Sequence, residues 1–263
     1  MGQPIEGSNP SLSATPQTGL RRLTAPTIEP LEMATFTFAT DEPDAGAEGV
    51  VMAYVVRHAG GVLLFDTGFG FGSALVDDRY RPRARRLPDA LAGAGIALAD
   101  VTAVVNCHLH IDHAGQNHLL PGVPIHAQPQ EWDLVQRGGH TIKEWVDFAA
   151  ADYHLRAGDH QLAPGISVLA TPGHTAGHQS LAVDTADGLA ILAGQACYSV
   201  GEWTGEPRAR EGLSRAPFRA AYLRSIARLR SLTPARVYFG HDRPFWNGSS
   251  APGEQRPAAS FSP

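Results

Sequence analysis

The chain has 263 residues, 43% of them hydrophobic, enough to bury a substantial core as one large domain or two small ones. A net charge of -5 without a dense Lys/Arg stretch gives no footprint for a nucleic-acid backbone, and no apolar run reaches the length a membrane span needs. The N-terminus lacks the basic-then-apolar layout of a signal peptide, so the expectation is a cytoplasmic protein without a nucleic-acid or membrane partner.

Residues 1–18 and 247–263 are rich in small and polar residues without hydrophobic period and are expected to be disordered, flanking a single domain over 19–246. Within it, 33–40, 50–57 and 62–66 read as strands, separated by Gly-containing turns at 45–46 and 60–61. A helix follows over 86–94, with Leu87, Leu91 and Ala94 on one face; Arg81, Arg83, Arg85 and Arg86 read as its solvated start. Residues 101–107 form a buried strand and 124–127 another, followed by a short helix through Trp132 and Val135. A meander of strands over 166–170, 180–184 and 189–192 comes next. Phe218, Tyr222, Ile226 and Leu229 then mark a long amphipathic helix with Arg on its other face. Strands alternating with covering helices suit an α/β sandwich.

At the end of the strand over 101–107, His108, His110, Asp112 and His113 place three imidazoles and a carboxylate within six positions. These are the donors that Zn²⁺ takes, and residues two apart on an extended stretch point to one side, so His108 and His110 can share an ion. Asp112 and His113 project at another angle and suit a second ion beside it. A lone His would be read as structural; H-x-H-x-D-H at a strand exit is read as a metal site. Further ligands are offered by His174, on a Pro-Gly turn after the strand over 166–170, and by His241, after Arg236, Val237 and Tyr238. The two cysteines, Cys107 and Cys197, are too few and too far apart for a disulfide framework or a Cys-based zinc site. They are expected as reduced thiols near the site.

H-x-H-x-D-H, then T-P-G-H-T-x-G-H-x-S over 171–180, then Gly240-His241, all preceded by Asp66-Thr67-Gly68, resemble the metallo-β-lactamase superfamily over roughly residues 30–245. The resemblance implies an αββα four-layer sandwich of two mixed β-sheets with outer helices and the metals at one edge. It assigns His108, His110 and His174 to a first Zn²⁺, and Asp112, His113 and His241 to a second. It also implies hydrolysis by metal-bound hydroxide, with Asp112 passing a proton to the leaving group. Asp66 is expected to orient a ligand, and His178 and Ser180 to support the turn. His58, His118, His126, His140, His154 and His160 are expected to be surface or satisfied histidines.

The pattern departs at one position. Hydrolases of this superfamily with two metals place a bridging Asp after the strand that here ends at Leu192, and the matching residue is Gln195. An amide oxygen can ligate weakly but carries no negative charge, so the second site is expected to be weaker and one or two ions remain open. Within the superfamily the motifs most resemble N-acyl-homoserine lactonases, and Tyr198 matches the Tyr that positions the lactone in that branch. A phenol aimed at a developing oxyanion has a catalytic use, whereas a core Tyr capping a loop is the alternative. Phe69, Phe71 and Ile111 either line an acyl groove or belong to a flexible loop with two buried rings.

The expected activity is opening of a lactone or cleavage of a simple ester, with a small-molecule ester or lactone as partner. A thioesterase of glyoxalase II type ranks lower, because no basic C-terminal region suits a glutathione carboxylate. Nuclease, β-lactamase and di-iron oxidoreductase readings lack a phosphate-binding surface, a secretion signal and a carboxylate-rich site respectively. A pathway-specific or non-catalytic ligand-binding member stays open because of Gln195.

Overall fold

In the computed structural model, residues 25–42, 44–206 and 216–248 are described. The expected N-terminal tail, 1–18, lies outside these residues, as does the expected C-terminal tail, 247–263, apart from its first two residues. The first sheet starts with two long antiparallel strands, β1 (Thr27–Thr37) and β2 (Glu48–His58), and β3 (Gly61–Phe65) pairs back on β2 through a two-residue turn. At that turn, a Cβ on Gly61, whose φ is +135°, would come within 2.6 Å of Thr102, so only glycine fits. β4 (Arg83–Ala84), β5 (Val101–Val105), β6 (Pro124–Ala127) and β7 (Asp152–Leu155) complete a seven-stranded sheet in the order β4-β1-β2-β3-β5-β6-β7. The second sheet holds β8 (His160–Ala163), β9 (Ile166–Ala170), β10 (Gln179–Thr185), β11 (Gly188–Leu192) and β12 (Arg236–Tyr238), in the order β12-β11-β10-β9-β8.

Successive side chains of β2 explain why the sheets stack. Val50, Met52, Tyr54 and Val56 face one way and pack with Phe65 and Val105 against Ile166, Val168, Leu181, Val183 and Leu192 of the second sheet. Val51, Ala53 and Val55 face the other way, under Leu87, Ala90 and Leu91 of α2 (Leu87–Gly93). A strand buried on both faces needs a covered sheet on each side. The outer face of the second sheet is covered in the same manner, as Tyr222, Ile226 and Leu229 of the long helix Arg219–Ser231 pack on Leu169, Ile191 and Val237. The architecture is the expected αββα sandwich. Three shorter helices, α1 (Ala74–Tyr80), α3 (Pro129–Arg137) and α4 (Lys143–Val146), surround one end of it; α5 (Val200–Thr204) precedes the long helix, which becomes α6.

The differences from the expected elements are local. β1 begins at Thr27, six residues earlier than read, because polar and apolar residues alternate there around Pro30. The Arg-rich segment is not simply a helix start: Arg83 lies in β4 and pairs with Glu48 at 2.5 Å, while the Arg86 guanidinium stacks 4.7 Å from the Phe71 ring.

The topology delivers the motifs to one place. β3 and β5 are parallel, as are β11 and β12, and β9 is antiparallel to β10, which is antiparallel to β11. The segments bearing Asp66, His108, His174, Gln195 and His241 therefore leave the C-terminal ends of β3, β5, β9, β11 and β12, at one edge of the sandwich.

Candidate metal centre and cavity

The loop after β5 is fixed before any ligand is placed. Asn106 Nδ2 donates to the His113 carbonyl at 3.1 Å, and the Thr67 amide donates to the same oxygen at 2.7 Å. His113 and His108 are thereby fully buried, while His110 and Asp112 reach the cavity. Opposite, Gly173 lets the His174 turn lie against α6, since a Cβ there would come within 2.4 Å of the Tyr222 Cα.

Six of the seven expected ligands converge in two groups. His108 Nε2 is 2.9 Å and His174 Nε2 3.1 Å from His110 Nδ1. His113 Nε2 is 3.4 Å from His241 Nε2, and Asp112 Oδ2 lies 3.3 Å and 3.5 Å from these two nitrogens. A tetrahedral ion with bonds of about 2.0–2.1 Å has ligand-to-ligand edges of about 3.3 Å, so both triads have the separations that one ion imposes. The donors are nitrogen and carboxylate oxygen, as Zn²⁺ prefers, and within each triad all ligand atoms lie within 4.8 Å of one another. The residues fit the metal.

The nitrogens facing away from the two centres are held. His113 Nδ1 is 2.9 Å from Asp66 Oδ2, and His241 Nδ1 donates to the Val50 carbonyl at 2.7 Å. These contacts put the ring proton on Nδ1 and aim the Nε2 lone pair at the centre, the usual support for a metal-bound imidazole. Asp66 adopts φ +67°, uncommon for a residue with a side chain. Its Oδ1 accepts from the Cys107 amide at 2.8 Å and its Oδ2 from the Cys107 thiol at 3.0 Å. The expected orienting role suits this geometry.

Burial pushes the pKa of His108 and His174 well below the ordinary histidine value, and that of His110 to about 4, so these rings are neutral and able to bind a cation. Asp112 is held far below the carboxylate range: burial opposes this, but His113 and His241 outweigh it. Burial alone would lower His113, yet the acidic groups against it, Asp112 and Asp66 among them, raise it; the surroundings favour a positive charge there, which a metal ion supplies as well as a proton does.

His178 is not available as a ligand, because its Nδ1 meets the Thr171 carbonyl at 3.1 Å and its Nε2 accepts from the Gln195 amide at 3.0 Å. Ser180 bonds Thr171 and the Ala193 carbonyl, supporting the same turn. Cys107 touches the site but is fully buried, and burial followed by the Asp66 charge keeps it a thiol. Cys197 is likewise a free, buried cysteine, and it packs with Trp203 and Tyr222 under α6.

Gln195 reaches the cavity with its Nε2 donating to the Tyr198 hydroxyl at 2.5 Å, and its buried Oε1 has no hydrogen-bond partner among the described residues. The Tyr198 hydroxyl is also 3.3 Å from His174 Nδ1, and its ring stacks on His241 with centroids 5.1 Å apart.

Above the two triads opens a cavity of about 540 Å³. Phe36, Phe38, Phe69 and Tyr80 line one side, with Leu75, Val76, Ile111 and Ile142. Phe69 and Ile111 are thus cavity residues as expected, whereas Phe71 stands outside it under Arg86. His140 is a satisfied histidine, one of the two expected readings, with Nε2 3.0 Å from Glu131; its place in the cavity was not expected, with its ring 4.4 Å from that of His110. Sequence carried no signal for it, since nothing local marks a lone His after a Gly-Gly pair as facing a ligand 30 residues earlier.

The chain belongs to the metallo-β-lactamase superfamily, whose sequence profile matches residues 46–241. Among its relatives is an N-acyl homoserine lactonase from a Bacillus species, 30% identical over 212 residues, which cover 73% of this chain and 81% of that protein. Among solved structures, an N-acyl homoserine lactone hydrolase with the product N-hexanoyl-L-homoserine at its catalytic metal centre has a TM-score of 0.69 at 24% identity, covering 84% of this chain and 94% of that one. AidC, a dizinc quorum-quenching lactonase, has a TM-score of 0.65 at 16% identity, covering 92% and 97%. Among the described residues, no helix is long and apolar enough to cross a membrane.

Proposed function

We propose that this protein is a metal-dependent hydrolase that opens the ring of a lactone, with N-acyl-homoserine lactones as the substrate class, or cleaves a simple ester. The observation that carries the reading is the pair of triads, His108/His110/His174 and Asp112/His113/His241, at the floor of a largely aromatic and aliphatic cavity. Zn²⁺ bound there would lower the pKa of water to about 7 and polarise a carbonyl, which is the chemistry ester hydrolysis needs. The relatives named as N-acyl homoserine lactonases support the substrate class.

The chain's own residues supply the rest. The apolar side of the cavity, from Phe36 to Ile142, accepts an acyl chain and excludes water. Tyr198 reaches the same space, and because its oxygen accepts from Gln195, the phenol proton is what it offers to the substrate carbonyl as negative charge develops there. Asp112, whose carboxylate is held ionised, takes a proton and passes it to the leaving alkoxide. Gln195 holds Tyr198 and offers Oε1 to the centre as a neutral donor, so two ions would be bound unequally.

The test is acid release in a pH-stat from zinc-loaded protein given N-acyl-homoserine lactones of several chain lengths, simple esters and a thioester. Lactone opening that is lost on chelation and restored by zinc is expected. Turnover of the thioester alone would replace this reading by the glyoxalase II type, and no turnover by the metal-loaded protein would replace it by a ligand-binding role.

A further inference from the structure

Glu131 lies in the first turn of α3 and is fully buried, a place where a carboxylate is stable only if donors meet its charge. Four do. Oε2 accepts from the Leu109 amide at 3.1 Å and from His140 Nε2 at 3.0 Å; Oε1 accepts from the Gly177 amide at 3.0 Å and from the Thr175 hydroxyl. Burial pushes the carboxyl pKa up, yet hydrogen bonds from His140 and Thr175 outweigh it and leave it below the usual range. The fit is close: a Cβ on Gly177 would come within 2.7 Å of the Glu131 amide nitrogen and 2.9 Å of its Cγ.

The positions of these donors give the carboxylate a second meaning. Leu109 stands between His108 and His110 on the loop from the first sheet, whereas Thr175 follows His174 on the loop from the second. A backbone hydrogen bond from the Gln179 amide to the Cys107 carbonyl at 2.8 Å also joins the two segments, but Glu131 ties the residues next to His110 and His174 directly.

We propose that Glu131 is a positioning residue for the three-histidine site: it sets the separation of His110 and His174 by gripping the Leu109 amide on one side and Thr175 and Gly177 on the other, and it seats His140 against the His110 ring. This rests on the metal reading of the site but not on the identity of the substrate.

The experiment is a titration of metal-free protein with Co²⁺, reading affinity and the visible absorption band that reports ligand geometry, with folding followed by far-ultraviolet circular dichroism. Glu131→Gln keeps the volume but replaces one acceptor oxygen by a donor that conflicts with the amides and hydroxyl around it. It is expected to stay folded, bind Co²⁺ about 10- to 100-fold more weakly and show an altered band. Thr175→Val removes a single grip and should weaken binding less. If Glu131→Gln fails to fold, Thr175→Val decides on the same criteria. A folded Glu131→Gln with unchanged affinity and band would overturn the proposal, as would an unchanged Thr175→Val beside an unfolded Glu131→Gln. Wild-type protein that takes up no Co²⁺ would overturn the metal reading itself, and the proposal with it.

Discussion

Gln195 and Tyr198 are joined by a hydrogen bond of 2.5 Å from the amide nitrogen to the phenol oxygen, within the turn that follows β11. The Gln195 backbone amide is committed as well, to His178 Nε2 at 3.0 Å. What is left is the buried Oε1, which has no partner among the described residues. An unmet buried carbonyl costs about 1–3 kcal/mol, a cost that a nearby cation would offset. Gln195 thus brings no negative charge to the two triads and ties down the tyrosine beside them.

Metal content follows from that charge. Only Asp112 brings a carboxylate to the two triads, so we expect purified protein dialysed against a mild chelator to hold fewer than two ions. Gln195→Asp should raise the number, and His110→Ala should abolish metal at the three-histidine site together with activity. Elemental analysis reads all three; two equivalents of zinc surviving in the unaltered protein would refute the weak second site.

Removing the phenol proton separates the two roles of Tyr198. If it donates to the oxyanion, Tyr198→Phe loses about 10- to 1000-fold in kcat with KM little changed. A tyrosine that only caps the turn would lower the melting temperature and leave kcat alone.

Stability of the metal-free protein should fall on the acid side of pH 6.5. Burial lowers His110 and His126 from 6.5 to about 4, and His178 to about 3. Between those values the unfolded chain binds more protons than the folded one, so stability drops as pH falls through the window; above about 6.5 all three are neutral in both states and contribute nothing. Bound zinc keeps its imidazole deprotonated and should move the fall to lower pH. Melting temperatures from pH 8 to pH 4, with and without zinc, check this, and a flat metal-free curve would contradict it.

Leu181 tests the sandwich itself. It is fully buried in the middle of β10, between the two sheets. Leu181→Ala should cost about 2–5 kcal/mol in denaturant unfolding, the range for a cavity in a packed core. A loss under about 1 kcal/mol would mean that the sheets do not close on that residue.

The sequence alone carried the ligand motif and the layered fold, for a physical reason. His108 and His110 of one triad and Asp112 and His113 of the other come from a single loop, so each pair must lie within a few residues and the four form a local signature. Strands buried on both faces, such as β2, read as apolar runs wherever they occur. Short edge elements gave no such signal: β4 is two residues long, and β7 is four residues long and largely exposed. Which distant groups meet the motif was decided by packing. His174 and His241 join it because β5, β9 and β12 end at one edge, and the aromatic wall of the cavity forms because α1 brings Tyr80 beside Phe36 and Phe69. Glu131 looks in sequence like any acid in the first turn of an amphipathic helix. Only when the two sheets close do the Leu109 amide and the Thr175 hydroxyl arrive on its two oxygens, because a hydrogen bond across 22 or 44 residues has no local pattern from which it could be read.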